Sequence, residues 1–406
     1  MPEAQRGAAF IWIVALAIAV GQLGTNLYLP ALPSMATEFG ASTALMAQTL
    51  TVYLAGCSLA TLVVGPLSDT YGRRPVVLGG LVVYIAGTVL CALAGSIASL
   101  MVGRLVQSLG ASCAPVAGRA MIKDATPDHL AASMLGLLGM VMAIAPALAP
   151  IIGGLVTQTM GWRWVFWTLL IICLAVLWFC LRALPETLGA ERRIAFQPLA
   201  ILQSFTMLAK DRIFTWNLAT LAAAFMGMGV LSAGAPFLFI RVYHFSPLAY
   251  GATNLANVGG FVLGNALGTR VLRNKPMGWI YAAGAAPALA SGGLMFTALN
   301  ATTPHPSLVV LAIMLFATGI GALFPLTTKI ALGRGKSLAG AASALIGFGQ
   351  IASCGAGSFL FAALVAAHAD IGRAIGLLNL GYSLLIALCA WPALLSKPQK
   401  EKGISG

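Results

Sequence analysis

Charged side chains are scarce in this chain of 406 residues. Only 8% of the residues are Asp, Glu, Lys or Arg, whereas 59% are hydrophobic, and the mean hydropathy is +0.93. An ordinary soluble domain carries roughly 25% charged residues, because a surface that faces water needs them. The scarcity excludes a water-soluble protein and indicates that lipid is the solvent for most of the surface.

Patterns that hold metals, phosphates or catalytic groups are also missing. The seven cysteines lie singly within apolar runs and form no C-x-x-C pair, so we interpret them as small buried hydrophobes. There is no H-E-x-x-H, no G-x-S-x-G and no phosphate-binding G-x-x-x-x-G-K-[ST] segment. We therefore expect no enzyme activity, no cofactor, no metal site and no ATP-driven pump on this chain.

Twelve apolar runs are long enough to cross a bilayer. In lipid each backbone polar group must bond within its own segment, which predicts helices, and alternating barrel strands are not seen. The first run is long enough for a retained span rather than the short core of a signal peptide. The predicted spans are 10–29, 45–67, 76–96, 99–121, 131–156, 163–184, 213–239, 248–270, 278–299, 307–331, 339–366 and 371–395.

Basic residues indicate the orientation of these spans. With a cytoplasmic N-terminus, only three basic residues fall in outside loops: Arg163, Arg241 and Arg373. The remainder, apart from Arg104 within span 4, fall inside, which predicts cytoplasmic termini and an even number of spans in a bacterial inner membrane. The net charge of +13 is spread between spans rather than gathered into one patch, which argues against nucleic-acid binding.

The longest polar connection separates two sets of six spans. We predict an N-terminal six-helix bundle over 1–184, a cytoplasmic central loop over 185–212, and a C-terminal six-helix bundle with a short tail over 213–406. A weak sequence similarity between the two halves supports two repeats, because a proline precedes a basic residue by four positions in both span 4 and span 10. These pairs are Pro115 with Arg119 and Pro325 with Lys329.

A glycine-rich, basic segment joins spans 2 and 3 on the cytoplasmic side. Gly65 and Gly72 permit a tight turn, Asp69 can cap the next helix or pair with a cation, and Arg73 and Arg74 anchor the segment inside. The sequence GPLSDTYGRRP resembles the signature loop of the major facilitator superfamily, G-x-L-x-D-x-x-G-R-[RK]-x. The resemblance implies a transporter fold of two six-helix bundles in which this gate loop latches the cytoplasmic side. The alternative is a loop that only fixes topology and folding.

Further motifs resemble the bicyclomycin-resistance and chloramphenicol-export (Bcr/CflA) subfamily. Y-L-P-A-L-P begins at Tyr28, and Arg104 with Gln107 is similar to the second superfamily motif, R-x-x-Q-G-x-G, although Ser108 replaces its first glycine. Residues 145–154 resemble the antiporter motif, G-x-x-x-G-P-x-x-G-G, with Ala149 at a usual glycine. The resemblance implies that this span-5 motif shapes the helix for close packing and bending, through Pro146, Pro150, Gly153 and Gly154.

Arg104 is a permanent cation within a hydrophobic span. Such a charge costs roughly 2.5 kcal/mol or more at a helix centre and normally faces a cavity or a partner. It is therefore either a substrate anchor or coupling residue, or a hub that hydrogen-bonds backbone carbonyls and Gln107. Spans 1, 4, 7 and 10 would line the central cavity by resemblance, and polar residues on them are its expected lining: Asn26, Tyr28, Arg104, Gln107 and Asn217.

The sequence departs from the subfamily at Asn26. An acidic residue normally stands there, in D-x-Y-L-P, and Asn cannot gain and lose a proton as proton-driven export requires. By the predicted spans no other acid lies mid-membrane. Either coupling persists through a peripheral acid (Asp69, Asp124, Glu38 or Asp370), or the substrate is an anionic or zwitterionic metabolite, such as a siderophore, that balances Arg104.

These observations predict a secondary transporter that exports a small organic compound, with protons as the coupling ion and the bilayer as its solvent, and the resemblance implies that it acts as a monomer. A facilitator without proton coupling is an alternative within the same class. A membrane-embedded enzyme would need clustered acids or histidines at one interface, and the sequence shows none. A receptor or scaffold would not need the gate loop or the two-repeat plan.

Overall fold

Helices account for every regular element in the described part of the chain. The computed structural model describes the backbone of residues 3–126, 128–195, 197–271, 275–303, 305–334, 338–367 and 370–395, and the side chains of most of them. The first helices are α1 (Glu3–Asn26), α2 (Leu32–Glu38), α3 (Thr43–Tyr71), α4 (Arg73–Ala92), α5 (Ile97–Ala111), α6 (Cys113–Ala125), α7 (Asp128–Met160) and α8 (Trp162–Ala183). They are followed by α9 (Pro198–Lys210), α10 (Arg212–Phe237), α11 (Pro247–Ala266), α12 (Met277–Asn300), α13 (Pro306–Arg334), α14 (Ala339–Ala366) and α15 (Ile371–Leu395).

The helices agree with the predicted membrane spans. Ten of the described segments are long and apolar enough to cross a membrane, and α7 is apolar over Ile144–Met160, the part of it whose side chains are described. The remaining predicted span, 248–270, coincides with α11. The all-helical membrane fold is therefore confirmed.

Two predicted spans are broken rather than continuous. Span 1, predicted as 10–29, ends as α1 at Asn26, turns through the 3₁₀ segment Leu29–Ala31, and continues as α2. Pro30 and Pro33 remove backbone donors here, so one uninterrupted helix cannot form. Span 4 breaks at Ser112, between α5 and α6, because Pro115 has no N–H to donate to the Ala111 carbonyl.

The connection between spans 6 and 7 is not an unstructured loop. It contains α9, an amphipathic helix whose buried Leu208 packs against Phe214, Leu221 and Ile346. Residues 185–195 run back to the end of α3, where the Ile194 N–H donates to the Asp69 carbonyl at 3.1 Å. The connection thus packs on helices of both halves.

Helix pairs α3–α14 and α7–α11 join the two halves of the chain. The Thr51 hydroxyl donates to the Ser358 hydroxyl at 3.0 Å, and Gly355 lies close to Leu54. By the predicted topology these contacts begin at the outer end of α3. The end of span 1 lies beside this interface, because the segment Leu29–Ala31 also contacts α10 and α11 of the second half.

Candidate functional site

The break in span 1 leaves the end of α1 inside the protein, where three side chains bind its carbonyl groups. Tyr84 donates its hydroxyl to the Val20 carbonyl at 3.1 Å, and Tyr53 donates to the Gly21 carbonyl at 3.2 Å. Arg104 Nη1 donates to the Gly24 carbonyl at 3.0 Å. The last carbonyl groups of a helix lack partners and carry partial negative charge, so a cation stabilises this end of α1.

The Arg104 guanidinium lies between two aromatic rings. Its central carbon is 4.0 Å from the centroid of Tyr28 and 3.9 Å from the centroid of Tyr53. Each such contact contributes about 0.5–2 kcal/mol, more when water is excluded. Since Arg104 is 0% exposed, the two rings and the end of α1 replace the water that a cation would otherwise need.

Gln107 completes this cluster. Its Oε1 accepts from Arg104 Nη1 at 2.6 Å, and its Nε2 donates to the Thr88 hydroxyl at 2.8 Å. Arg104 Nε and Nη2 and the Tyr28 hydroxyl have no hydrogen-bond partner among the described residues. The cluster is therefore a buried cation with unused donors and without a carboxylate.

The predicted cavity residues do not all come together. Arg104, Gln107 and Tyr28 form the cluster above, and their exposed fractions are 0%, 0% and 1%, so none faces solvent in this structure. Asn26 is half-buried at the end of α1 and donates to the Gln22 carbonyl at 2.9 Å. Asn217 belongs to a separate group, where it accepts from the Tyr281 hydroxyl at 2.8 Å. Their part in a substrate cavity stays a prediction.

The span-5 motif lies where α7 meets the break in span 1 and the start of α11. A Cβ on Gly153 would collide with the Leu27 carbonyl, and one on Gly154 would lie 2.8 Å from the Leu248 Cα. Pro146 offers its carbonyl to Asn254 Nδ2 at 2.7 Å. Gly153 thus packs against span 1 within the first half, whereas Gly154 packs against α11 of the second half, at the end that the topology places outside.

Pro150 contributes to the same contact from the opposite direction. Its carbonyl faces Gly251 of α11 so closely that a Cβ at position 251 would overlap it. We call the contact of Gly154 and Pro150 of α7 with the start of α11, including Gly251, the outer seal.

The gate loop is a compact ionic network. Arg73 is paired with Asp69 at 2.5 Å and with Asp124 of α6 at 3.1 Å, and it donates to the Ser68 hydroxyl at 2.6 Å. Gly72 forms the turn with φ 102°, a conformation that favours glycine. Gly65 does not form a turn, because α3 continues through it to Tyr71. The expected tight turn is therefore confined to Gly72.

Glu186 binds this loop and was not predicted. Its carboxylate accepts the backbone N–H groups of Arg73 and Arg74 at 3.0 and 3.2 Å, and those of Thr187 and Leu188 at 2.9 and 3.0 Å. Arg74 Nη2 donates to the Leu181 carbonyl at 3.0 Å. The loop is therefore tied to the C-terminal end of α8 and to the residues that follow it.

Each candidate coupling acid in the described residues has a partner. Asp69 and Asp124 share Arg73, Glu38 binds Trp162 Nε1 at 2.6 Å and the Arg163 guanidinium, and Asp370 accepts the N–H of Gly372 at 2.8 Å. Glu401 lies outside the described residues, as do the side chains of Glu3 and Asp128. Of these candidates, Glu38, Asp69 and Asp124 are held in ion pairs, and Asp370 lies just before the start of α15.

Comparison with known proteins decides the family. The sequence profile of the Major Facilitator Superfamily matches residues 14–358. The chain belongs to the Major Facilitator Superfamily. It is therefore a multi-pass membrane transporter of a small-molecule substrate, and not an enzyme.

Curated members of the superfamily resemble the chain over most of its length. "Uncharacterized MFS-type transporter YdgK" of Bacillus subtilis is 30% identical over 354 residues, which cover 85% of this chain and 86% of that protein. "Multidrug resistance protein MdtL" of Escherichia coli is 29% identical over 377 residues, which cover 92% and 90%.

Solved structures share the fold at low sequence identity. The xylose transporter XylE of E. coli aligns with a TM-score of 0.74 and 15% identity, covering 95% of this chain and 98% of that one. The human organic anion transporter MFSD10 aligns with a TM-score of 0.66 and 19% identity, covering 97% and 100%. These likenesses confirm the major facilitator fold.

Proposed function

We propose that this transporter exports small organic compounds across the bacterial inner membrane by alternating access, driven by the proton gradient, as a Bcr/CflA-type drug exporter. The multidrug relatives and the Y-L-P-A-L-P, gate-loop and span-5 motifs support this proposal. It includes two six-helix halves with a central connection, cytoplasmic termini and a monomeric protein.

The observation that carries alternating access is the difference between the two ends. At the outer end, backbone groups of α7 and α11 touch at the outer seal. At the inner end, Arg73 of the gate loop pairs with Asp124 of its own half, and the backbone N–H groups of the loop donate to Glu186 of the adjoining connection. This asymmetry is expected of a state closed to the outside, from which substrate enters on the cytoplasmic side.

In this proposal Arg104 positions the end of α1, and the substrate binds beside it. Arg104 donates to the Gly24 carbonyl and stacks on Tyr28, and these two contacts hold Asn26 at the interface between the halves. Gln107 acts through Arg104 in the same way. Asn26 and Asn217 then serve the central cavity as uncharged polar groups.

Proton coupling would use the gate loop. Asp69 and Asp124 both bind Arg73, so protonation of either carboxylate leaves the other to hold the arginine. Asp69 is 44% exposed at its side chain, so water reaches it. Asp69 and Asp124 are therefore the best-placed substitutes for the carboxylate that is absent at position 26.

A second candidate function is export of an anionic or zwitterionic metabolite, with or without proton coupling. It is favoured by Arg104 Nε and Nη2, buried donors without partners in the described structure. A substrate carboxylate that reached these donors would supply the missing negative charge. Its attraction to Arg104 would be stronger than in water, because water is excluded from the site. Such a substrate would have to displace Tyr28 or Tyr53 to make contact.

Everted membrane vesicles with a dye-reported pH gradient test these proposals. Amphenicols, bicyclomycin, sulfonamides and a siderophore-containing extract are added in turn, and gradient dissipation that requires the protein identifies proton-coupled export. Gly72→Ala should abolish the dissipation, because the added Cβ would lie 2.5 Å from Glu186 Oε2 and position 72 has a φ of 102°. Gly79→Ala is the matched control, because its Cβ would meet open space. Substrate movement without dissipation would refute proton coupling, and no movement of any compound would refute the export proposal.

A further inference from the structure

The outer segment of the broken first span is anchored firmly to its own half. Glu38 at the end of α2 accepts from Trp162 Nε1 at 2.6 Å and forms an ion pair with Arg163. Arg163 also donates to the Ala94 carbonyl at 3.1 Å and lies 4.2 Å from the Trp162 ring. Both partners open α8, so α2 moves with the first half of the chain.

One side chain of the second half reaches across to α2. Arg241 Nη2 donates to the Pro33 carbonyl at 3.0 Å and to the Thr37 hydroxyl at 3.0 Å. The Thr37 hydroxyl in turn donates to the same Pro33 carbonyl at 3.0 Å. Arg241 thus closes a small ring of hydrogen bonds on the first turn of α2.

An irregular turn aims Arg241 at this position. After α10 ends at Phe237, residues Leu238–Val242 form a π-helical turn in which the Tyr243 N–H donates to the Leu238 carbonyl at 2.9 Å. His244 then adopts φ 56°, an uncommon conformation for a residue with a side chain. Single π-helical turns are frequent at functional positions, where the inserted residue redirects a side chain.

We propose that Arg241 is a positioning residue of the transport cycle, an outer latch that holds α2 against the second half while the outside is closed. The proposal rests on alternating access. When the outer seal opens, α2 leaves with the first half and both Arg241 hydrogen bonds break. The acceptors of Arg241 are neutral, a carbonyl and a hydroxyl, so breaking these bonds leaves no buried carboxylate without a partner. Water can replace both acceptors at this half-buried site. The latch is therefore reversible, unlike the Glu38 ion pair.

The latch is tested by reading access from the outside, without any substrate. Ala31, fully buried in the 3₁₀ turn beside α2, is changed to cysteine, and its reaction with a membrane-impermeant maleimide is timed in intact cells. Arg241→Gln should raise the labelling rate about tenfold, as expected for loss of hydrogen bonds to a charged donor. Thr37→Val should give a smaller rise, and Thr37→Ser, which keeps the hydroxyl, should match the parent.

Arg373→Gln is the matched control, because it removes an exposed, outside arginine from the same half. Equal labelling in Arg241→Gln and the parent, or the same rise in Arg373→Gln, would overturn the latch. If Arg241→Gln does not reach the membrane, the Thr37 pair carries the test alone. Since no substrate is added, a failed export assay leaves this result intact, and a failed latch leaves the export proposal standing.

Discussion

The outer seal depends on glycine at position 251, and replacing it with alanine should push the two halves apart. The added Cβ would overlap the Pro150 carbonyl and lie 2.9 Å from the Ile151 Cα. Carbon atoms pack at about 3.5–4.0 Å, so α7 and α11 must separate by about 0.6–1 Å. The collision exists only while the seal is closed.

The size of the effect follows from this overlap. Overpacking a tight contact by one methyl group costs about 1–3 kcal/mol. At 1.4 kcal/mol for each tenfold change, the ratio of closed to open protein should fall by about 5- to 150-fold. Gly251→Ala is therefore expected to populate a state open to the outside.

Distance measurement by pulsed electron paramagnetic resonance can detect this state. Spin labels at Gln158 and Ala249, both exposed at the outer ends of α7 and α11, should show a second, longer distance in Gly251→Ala. Gly259→Ala is the control, since it changes the same helix where nothing lies within 4 Å of the new Cβ. Identical distance distributions in the two variants would refute the role given to the seal.

Three further substitutions test the site. Asn26→Asp restores the acid of the resembling subfamily and should make transport more dependent on pH; an unchanged pH profile would count against the missing-acid argument. Glu186→Gln should lower the free energy of unfolding by about 1–3 kcal/mol, because the amide group cannot accept from all four backbone N–H groups that the carboxylate binds. An unshifted melting temperature would contradict this expectation. Arg104→Lys should reduce transport at least about tenfold while the protein still reaches the membrane, because an ammonium group cannot stack as a plane between Tyr28 and Tyr53; full activity would refute it.

Membrane helices could be predicted well from the sequence because lipid leaves the backbone few choices. The predicted spans 339–366 and 371–395 have the bounds of α14 and α15, and most others differ by a few residues. A long apolar run must be a helix there, whatever its individual propensities.

Breaks within spans were not predicted, although their cause is local. Pro30, Pro33 and Pro115 each remove a backbone donor, but prolines in membrane helices produce anything from a mild kink to a full interruption. Which outcome occurs depends on neighbouring groups that can take over the freed carbonyls. At the end of α1 that group is Arg104, which donates to the Gly24 carbonyl and which only the fold brings there.

The candidate site was predictable where a residue was chemically out of place. Arg104 stands out as a cation in an apolar run, and the chain itself brings Gln107 within reach one turn later. Tyr53 and Tyr84 carried no such signal, because aromatic residues in apolar spans normally serve packing. Glu186 lies 113 positions from Arg73, and no spacing rule connects them.

In the proposed alternating-access cycle, the buried Arg104 would make transport sensitive to the electrical potential of the membrane. A unit charge that crosses the whole field gains or loses about 2.3 kcal/mol per 100 mV, so movement through a tenth of the field is worth about 0.2 kcal/mol. Arg104 is carried by the first half of the chain, and the described residues place no carboxylate beside it to cancel its charge. Whichever arrangement brings this cation closer to the negative cytoplasm is favoured in an energised cell, so the transport cycle should respond to voltage even when the substrate is neutral.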